Sequence, residues 1–123
     1  MTQEDKKLLL KDLSSRLPYG VICDCLHDYH TKASAIDAED LTVYYPYCDE
    51  WEPIEHCKPY LRSMSDMTEK EISEYKHFVA LSGNPLGSAY FIDWLNANHF
   101  DYRGLIEKGL AIAVTHDNNP YKV

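Results

Sequence analysis

Hydrophobic and polar residues alternate with two different periods along the chain. The N-terminal segment has the period of an α-helix. An apolar stripe with a spacing of three to four residues consists of Leu9, Leu10 and Leu13. Thr2, with Asp5 three positions later, is placed to cap the start of this helix. The turn residues Pro18, Tyr19 and Gly20 predict its end. The chain is therefore expected to begin with an amphipathic helix.

A two-residue period follows and predicts strands. Over residues 21–28, one face would carry Val21, Cys23, Cys25 and His27, and the other Ile22, Asp24, Leu26 and Asp28. Residues 31–36 are the candidate for a paired second strand, although their alternation is weak. Residues 41–47 are rich in β-branched and aromatic side chains and predict a third strand. Pro46 favours an edge position for that strand.

The helical spacing returns in the second half of the chain. Thr68 followed by Glu71 forms a capping box and predicts a helix that ends near Leu81. Its expected inward positions are Ile72, Tyr75, Phe78 and Val79. Residues 82–85 break the pattern, and Ser88 predicts the cap of a second helix. One face of that helix carries Phe91, Trp94, Leu95 and Asn98.

The last part of the chain completes the predicted fold. Asp101 predicts the cap of a short helix that carries Leu105 and Ile106 and ends at Gly109. Residues 110–114 predict a final strand, and the chain from His116 onward a flexible tail. The order helix, strands, helices predicts an α+β fold rather than a βαβ repeat. We expect one domain over residues 1–123, in which a small antiparallel sheet from the first half packs against the N-terminal helix and two or three C-terminal helices.

Charge is the feature of the composition that bears most on function. The net charge is −8, from 20 acids and 12 bases. Seven of the acids lie between positions 37 and 57, a stretch without Lys or Arg: Asp37, Glu39, Asp40, Asp49, Glu50, Glu52 and Glu55. Because such a chain repels phosphate backbones, direct binding to nucleic acid is not expected. Apolar runs stay well below the roughly 20 residues that span a bilayer, and the first 17 residues do not resemble a signal peptide. We therefore expect a cytoplasmic protein without a membrane partner.

A cluster of metal-binding residue types lies in the first predicted strand and just after it, namely Cys23, Cys25, His27 and His30. Further ligands are available from Cys48, His56 and Cys57. Paired zinc cysteines usually have about two to four residues between them, whereas one residue separates Cys23 from Cys25. The favoured interpretation is that the two cysteines are small buried apolar residues, with no cofactor bound.

Catalytic motifs offer little support for an enzyme. The sequence contains no Walker loop, no GxSxG elbow, no HExxH pair and no dinucleotide fingerprint. Asp101 and Arg103 suggest a catalytic pair only if the capping role of Asp101 is ignored. We therefore expect a non-enzymatic protein. The alternatives are a zinc-stabilised domain or metal-dependent enzyme built on the Cys/His cluster, and a structural or assembly component.

The acidic-aromatic segment is the strongest candidate for an interaction site, and consists of Asp40, Tyr44, Tyr45, Tyr47, Asp49, Glu50, Trp51 and Glu52. Tyr and Trp provide large, rigid contact area at interfaces, and carboxylates around them steer a basic partner. The alternative is an edge strand whose Tyr44 faces the core and whose acids form a solvated rim. The segment predicts a protein partner with a basic surface, and leaves the partner and the oligomeric state open.

Several short stretches carry a resemblance to a known group of proteins. They are Lys58-Pro59-Tyr60-Leu61-Arg62, Met64-Ser65-Asp66-Met67-Thr68-Glu69, Asp101-Tyr102-Arg103-Gly104-Leu105-Ile106 and Gly109-Leu110-Ala111. Upstream, only Leu17-Pro18-Tyr19-Gly20-Val21 is similar. Over residues 57–111 the chain resembles small uncharacterised proteins of Bacteroides-type bacteria and their phages. The resemblance implies no catalytic residue. It implies a phage or prophage protein in the cytoplasm of a bacterial host, and by analogy a host factor as its partner, such as a defence nuclease with a basic groove.

Overall fold

The computed structural model describes residues 1–25, 30–82 and 89–122, and these ranges contain helices and short strands. The helices are α1 (Gln3–Arg16), α2 (Glu69–Ser82) and α3 (Ala89–Ala97). The strands are β1 (Ile22–Asp24), β2 (His30–Lys32), β3 (Ala35–Asp37), β4 (Thr42–Tyr45), β5 (Glu50–Pro53), β6 (Lys58–Ser63), β7 (Phe100–Asp101) and β8 (Ile112–Ala113). Short 3₁₀ helices occupy Leu17–Tyr19, Ile54–His56 and Met64–Asp66.

These strands form two sheets. The first has the order β2-β1-β6-β7, and β8 also pairs with β6. Its β2–β1 and β1–β6 pairs are antiparallel, whereas β7 and β8 run parallel to β6. The second sheet has the order β3-β4-β5 and is antiparallel throughout. The predicted α+β class is confirmed, and the structure adds the strand β6 with its two parallel neighbours.

Both predicted capping boxes are present. Asp5 N donates to Thr2 Oγ1 at 3.0 Å, and Thr2 N donates to Asp5 Oδ2 at 3.1 Å. At α2, Glu71 N donates to Thr68 Oγ1 at 3.2 Å and Thr68 N to Glu71 Oε1 at 2.9 Å. Each box satisfies backbone N–H groups that have no partner inside the helix. The two helices therefore begin where the sequence predicts.

The main core lies between α1 and the two sheets. Leu9 and Leu13 of α1 are fully buried, as predicted, against the face of β1 that carries Val21, Cys23 and Cys25. The opposite face of β1 carries Ile22, which packs with Tyr60 and Val114 in a separate cluster. A further cluster joins α3 to β7 and is made of Phe91, Leu95 and Phe100, with Tyr75 and Phe78 of α2 packed against it. The predicted alternation of β1 is confirmed over its described residues, while His27 lies outside them.

The predicted strand over residues 31–36 is wrong, because this stretch contains two strands in different sheets. Ala33 N donates to Val21 O at 3.2 Å, in the first sheet. The next residue, Ser34, donates its N–H to Tyr44 O at 3.0 Å, in the second sheet. The chain therefore passes from one sheet to the other between these two residues.

The third predicted strand lies in the middle of its sheet rather than at an edge. β4 pairs with β3 on one side and β5 on the other. Pro46 follows the last residue of β4, so its missing N–H removes no bond from the ladder. The edge assignment was wrong for this reason.

A turn replaces the predicted last helix. Asp101 Oδ1 and Oδ2 accept hydrogen bonds from the N–H groups of Leu105 and Ile106, each at 2.9 Å, so the carboxylate does cap this segment. Gly109 has the expected left-handed backbone, with a φ of 74°. Gly104, however, also has a positive φ of 76°, which is incompatible with a right-handed helix at that point. The predicted strand that follows is present as β8.

One of the inward positions predicted for α2 is wrong. Ile72 was expected to point inward, yet 41% of it is exposed, because α2 faces α3 through Tyr75 and Phe78. The predicted cap Ser88 and most of the predicted break at residues 82–85 lie outside the described residues.

The C-terminal segment, predicted to be flexible from His116, is held to the first sheet by Tyr121. The Tyr121 hydroxyl accepts a hydrogen bond from Ile22 N at 3.0 Å and donates one to Tyr60 O at 2.7 Å. Ile22 and Tyr60 would form the next pair after Cys23 and Pro59 in the β1–β6 register. The phenol therefore bridges the two strands at the point where they separate.

Replacing Tyr121 with phenylalanine is expected to lower the free energy of unfolding by about 1–3 kcal/mol, because two buried backbone groups lose their partner. Urea unfolding followed by circular dichroism measures this change. Tyr90→Phe is the matched control, since Tyr90 is 81% exposed. Equal midpoints for the two variants would contradict the bridging role.

Candidate functional site

The acidic-aromatic segment folds into the β4–β5 hairpin, whose register decides which side chains face outward. Tyr44 lies opposite Trp51, and Val43 lies opposite Glu52. Val43 is buried in the main core, so Tyr44 and Trp51 occupy the other, outer face of the sheet. Their ring centroids are 5.2 Å apart with an interplanar angle of 43°. The outer face thus carries a contacting pair of large aromatic rings.

Tyr44 is fixed from two sides. Its hydroxyl donates a hydrogen bond of 2.5 Å to Asp49 Oδ1, while Trp51 packs on its ring. The bond to Asp49 holds the pKa of the Tyr44 phenol above its ordinary value, and the phenol stays a hydrogen-bond donor. Asp49 has a φ of 52°, a conformation that Asp tolerates better than most residues and that closes the hairpin loop. Trp51 and Tyr47 remain 53% and 82% exposed.

Two of the eight predicted contact residues face the core instead. Tyr45 is fully buried, and burial raises its pKa far above the ordinary value. Glu52 is only 3% exposed because it shares the inner face with Val43. The alternative interpretation placed Tyr44 in the core, and this is also wrong, because Tyr45 packs there instead. Neither Tyr45 nor Glu52 belongs to an exposed contact surface.

Six predicted residues remain outside the core, and we call them the acidic-aromatic surface: Asp40, Tyr44, Tyr47, Asp49, Glu50 and Trp51. Asp49 and Glu50 lie at the β4–β5 end of the hairpin, where Glu50 is exposed opposite the buried Tyr45, on the side of β5 away from Trp51. Asp40 lies in the β3–β4 turn at the other end of β4. In that turn, Asp40 N donates to Asp37 Oδ1 at 2.9 Å. Exposed carboxylates therefore stand at both ends of the aromatic pair. Glu55 contributes less negative charge to this surface, because it forms an ion pair with Lys6 at 3.1 Å that lowers its pKa.

The structure separates the members of the predicted Cys/His cluster. Cys23 and Cys25 are buried in the main core. His30 pairs with Asp24, on the opposite face of β1, and its exposed ring meets Tyr60 edge-on at 5.9 Å. A residue pair in register shares one face of a sheet, so His30 and Cys23 lie on opposite faces. His27 lies outside the described residues.

A different trio brings ligand atoms together, namely Cys48, Glu50 and Glu52. Within residues 1–25, 30–82 and 89–122 it is the one group of three or more potential metal ligands whose donor atoms all lie within 4.8 Å of one another. The two-residue spacing places Glu50 and Glu52 on one side of β5, and this is the signal that sequence reasoning missed. The loop at residues 46–49 brings Cys48 to the same place. Structural zinc sites use four ligands, and no fourth such residue joins this trio in the described chain.

The buried thiol of Cys23 is a poor nucleophile. A hydrogen bond with Cys57, together with burial, raises the pKa of Cys23 well above its ordinary value. A thiol attacks as the thiolate, so a raised pKa makes Cys23 unreactive. The adjacent pair His56 and Cys57 also separates, because Cys57 is fully buried while His56 is exposed. The expectation of a non-enzymatic protein stays a prediction.

A groove of about 540 Å³, which the sequence did not predict, lies beside the stacked rings of His99 and Tyr121. We call it the His99 groove. It combines residues from three distant stretches, among them Arg62, His99 and Lys122. No local sequence pattern links these stretches, because the sheet brings them together.

No protein-family model, no curated protein and no solved structure matches this chain. The resemblance to small phage-associated proteins therefore stays a prediction based on the residues that carry it. Among the residues that the structure describes, none of the helices has the length and apolar character needed to cross a membrane.

Proposed function

We propose that this chain is a non-enzymatic binding module that engages a basic surface of a protein partner through the acidic-aromatic surface. The observation that carries the proposal is the outward pair Tyr44 and Trp51, placed between exposed carboxylates in a stretch of seven acids without Lys or Arg. Aromatic rings beside carboxylates suit a partner rich in arginine. A guanidinium stacks on an aromatic face and pairs with carboxylates at its edge.

The geometry of Tyr44 supports a role in binding. Its ring is packed against Trp51 and its hydroxyl is bonded to Asp49, so few rotamers are open to it before binding. A side chain that is already ordered loses less entropy on association. Trp51 adds a half-exposed indole, the side chain most enriched among residues that dominate binding energy.

The charge pattern supports a protein partner over nucleic acid. Carboxylates at both ends of β4 repel phosphates, while they accelerate association with a basic surface. The same charge pattern fits phage or prophage origin and a host factor with a basic groove as the partner. These two parts of the proposal rest on the resemblance alone. Cytoplasmic location is proposed on the same basis.

Trp51→Ala is expected to weaken binding of an arginine-rich peptide about 30-fold, which corresponds to about 2 kcal/mol. Fluorescence anisotropy with a labelled peptide measures the affinity, and stopped-flow mixing separates association from dissociation. Because an aromatic anchor acts mainly on dissociation, the dissociation rate should rise. Tyr90→Ala is the control, since it removes an exposed aromatic ring from α3.

The charge contribution is tested with the pair Asp40→Lys and Glu50→Lys in one variant. Glu52 is left unchanged, because a lysine there would be buried. Association should slow and its salt dependence should flatten, while a control with Glu107→Lys and Asp117→Lys keeps the wild-type response. Equal slowing in both variants would show that only net charge matters. Unchanged affinity of folded Trp51→Ala would remove the surface from the proposal.

A further inference from the structure

The His99 groove has the size of a small-molecule site and lies outside the acidic-aromatic surface. Its volume of about 540 Å³ is within the usual range for such sites, and the two sites share no residue. Arg62 and Asp66 line it at the end of β6 and in the turn beyond, while His99 precedes β7. The C-terminal segment contributes the remaining wall, including Asn119 and Lys122.

One wall of the groove is rigid and contains an unsatisfied polar atom. The rings of His99 and Tyr121 stack with centroids 3.6 Å apart and an interplanar angle of 10°. Tyr121 is itself fixed by its hydrogen bonds to β1 and β6. His99 has a φ of 63°, which is rare for a residue other than glycine. Its buried Nδ1 has no hydrogen-bond partner among the described residues, although buried polar atoms are nearly always paired.

The lining of the groove is more basic than the protein as a whole. The lining contains two permanently basic side chains, Arg62 and Lys122, and one acid, Asp66. Burial, followed by the charges of Arg16 and Arg62, lowers the pKa of His99 to about 4. The two guanidinium charges favour an anion beside the ring, whereas burial disfavours any charged group there.

Hydrogen-bond donors are available at the same place. Asn119 uses its carbonyl oxygen to accept from Tyr121 N at 3.0 Å, so its amide N–H groups can face a ligand. Lys122 is exposed at the rim. Arg62 is held by Glu71 through bonds of 2.8 and 2.7 Å, so it fixes the wall rather than reaching for a ligand.

From this arrangement we infer that the His99 groove binds a small ligand that carries an oxyanion, either a phosphate or a carboxylate. Lys122 pairs with the oxyanion at the rim and Asn119 donates to it. The neutral imidazole of His99 supplies the adjoining wall. This binding is independent of the protein partner proposed above.

Nuclear magnetic resonance titration of the labelled full chain with inorganic phosphate, and separately with succinate, tests the inference. Saturating shifts at His99, Asn119 and Lys122 are expected with one or both anions, and which anion acts distinguishes phosphate from carboxylate chemistry. Sodium chloride at the same ionic strength should leave these resonances unchanged. Anion binding should also raise the pKa of His99, because a bound negative charge favours the imidazolium.

Lys122→Gln is expected to weaken the binding of the active anion about fivefold. Lys108→Gln is the matched control, because Lys108 is an exposed lysine that does not line the groove. Two results would overturn the inference: no saturating shift at His99 with either anion, or equal weakening in the two lysine variants.

Discussion

Asp12→Ala is expected to lower the free energy of unfolding by about 3–5 kcal/mol, the largest effect of any single change considered for this chain. Asp12 is fully buried in α1. It accepts bonds from Arg16 Nε at 2.7 Å and Arg16 Nη2 at 3.1 Å, and from Arg103 Nη1 at 3.0 Å. Removing the carboxylate leaves the buried Arg16 without its counter-charge. Alanine has the higher helix propensity, so the intrinsic effect of the substitution acts in the opposite direction.

Urea unfolding of Asp12→Ala and of a control, Asp117→Ala, measures this effect. Both variants lose one negative charge, but Asp117 is exposed. Asp12→Asn should fall between wild type and Asp12→Ala, because it keeps the shape and some hydrogen bonds while losing the charge. If Asp12→Ala and Asp117→Ala unfold at the same urea concentration, the buried network does not stabilise the fold.

This network explains how distant parts of the chain are joined. Arg16 Nη2 donates to Phe100 O at 2.7 Å, 84 positions away. The Tyr102 ring lies near two guanidinium groups, with Arg16 at 5.2 Å and Arg103 at 4.6 Å from its centroid. α1 is therefore attached to β7 by a hydrogen bond from the buried Arg16 guanidinium. Arg16 thereby also contributes to the positive field at His99.

Signals between neighbouring residues predicted local structure well. The capping boxes at Thr2 and Thr68 depend on groups three positions apart, so the sequence contains all of the information. The same is true of the alternation in β1 and of the Asp101 cap. The predicted helix after Asp101 was wrong because a second left-handed glycine, Gly104, interrupts it.

Pairing between distant segments could not be read in the same way. β6 joins β1 from the first half with β7 and β8 from the end of the chain. Its sequence has Pro59 near the start and no clear alternation, so it does not stand out as a strand. The His99 groove depends on these pairs, which is why it was missed.

The candidate surface was predicted in part. The acids and aromatic residues were recognised as a segment, but segment membership says nothing about which face a side chain occupies. Pairing of Val43 with Glu52 assigns Glu52 to the inner face, and Tyr45 follows two residues after Val43. A strict two-residue period applied to residues 43–52 would have separated Tyr45 from Tyr44, although the loop at residues 46–49 hides the register of β5.

The fold is expected to lose stability as the pH falls from 6.5 to about 4, because of His99. Burial, then Arg16 and Arg62, lowers the folded-state pKa of His99 from 6.5 to about 4. In this window the unfolded chain takes up a proton at His99 and the folded chain does not. Stability is therefore complete above pH 6.5 and declines towards the folded-state pKa. The loss is at most about 3 kcal/mol, since partial solvation of the ring reduces it.

Urea unfolding at a series of pH values compares wild type with His99→Asn, which removes the titrating ring while tolerating the left-handed backbone. Readings between pH 6.5 and 4.5 are the informative ones, because Glu71 does not titrate there. Arg62 lowers the Glu71 pKa from 4.5 to about 2, so the contribution of Glu71 to stability is lost only below pH 4.5. We expect the slope of stability against pH in that window to be smaller in His99→Asn. His77→Asn, at an exposed position of α2, should keep the wild-type slope. Identical slopes for all three proteins would show that His99 is not held neutral by the fold.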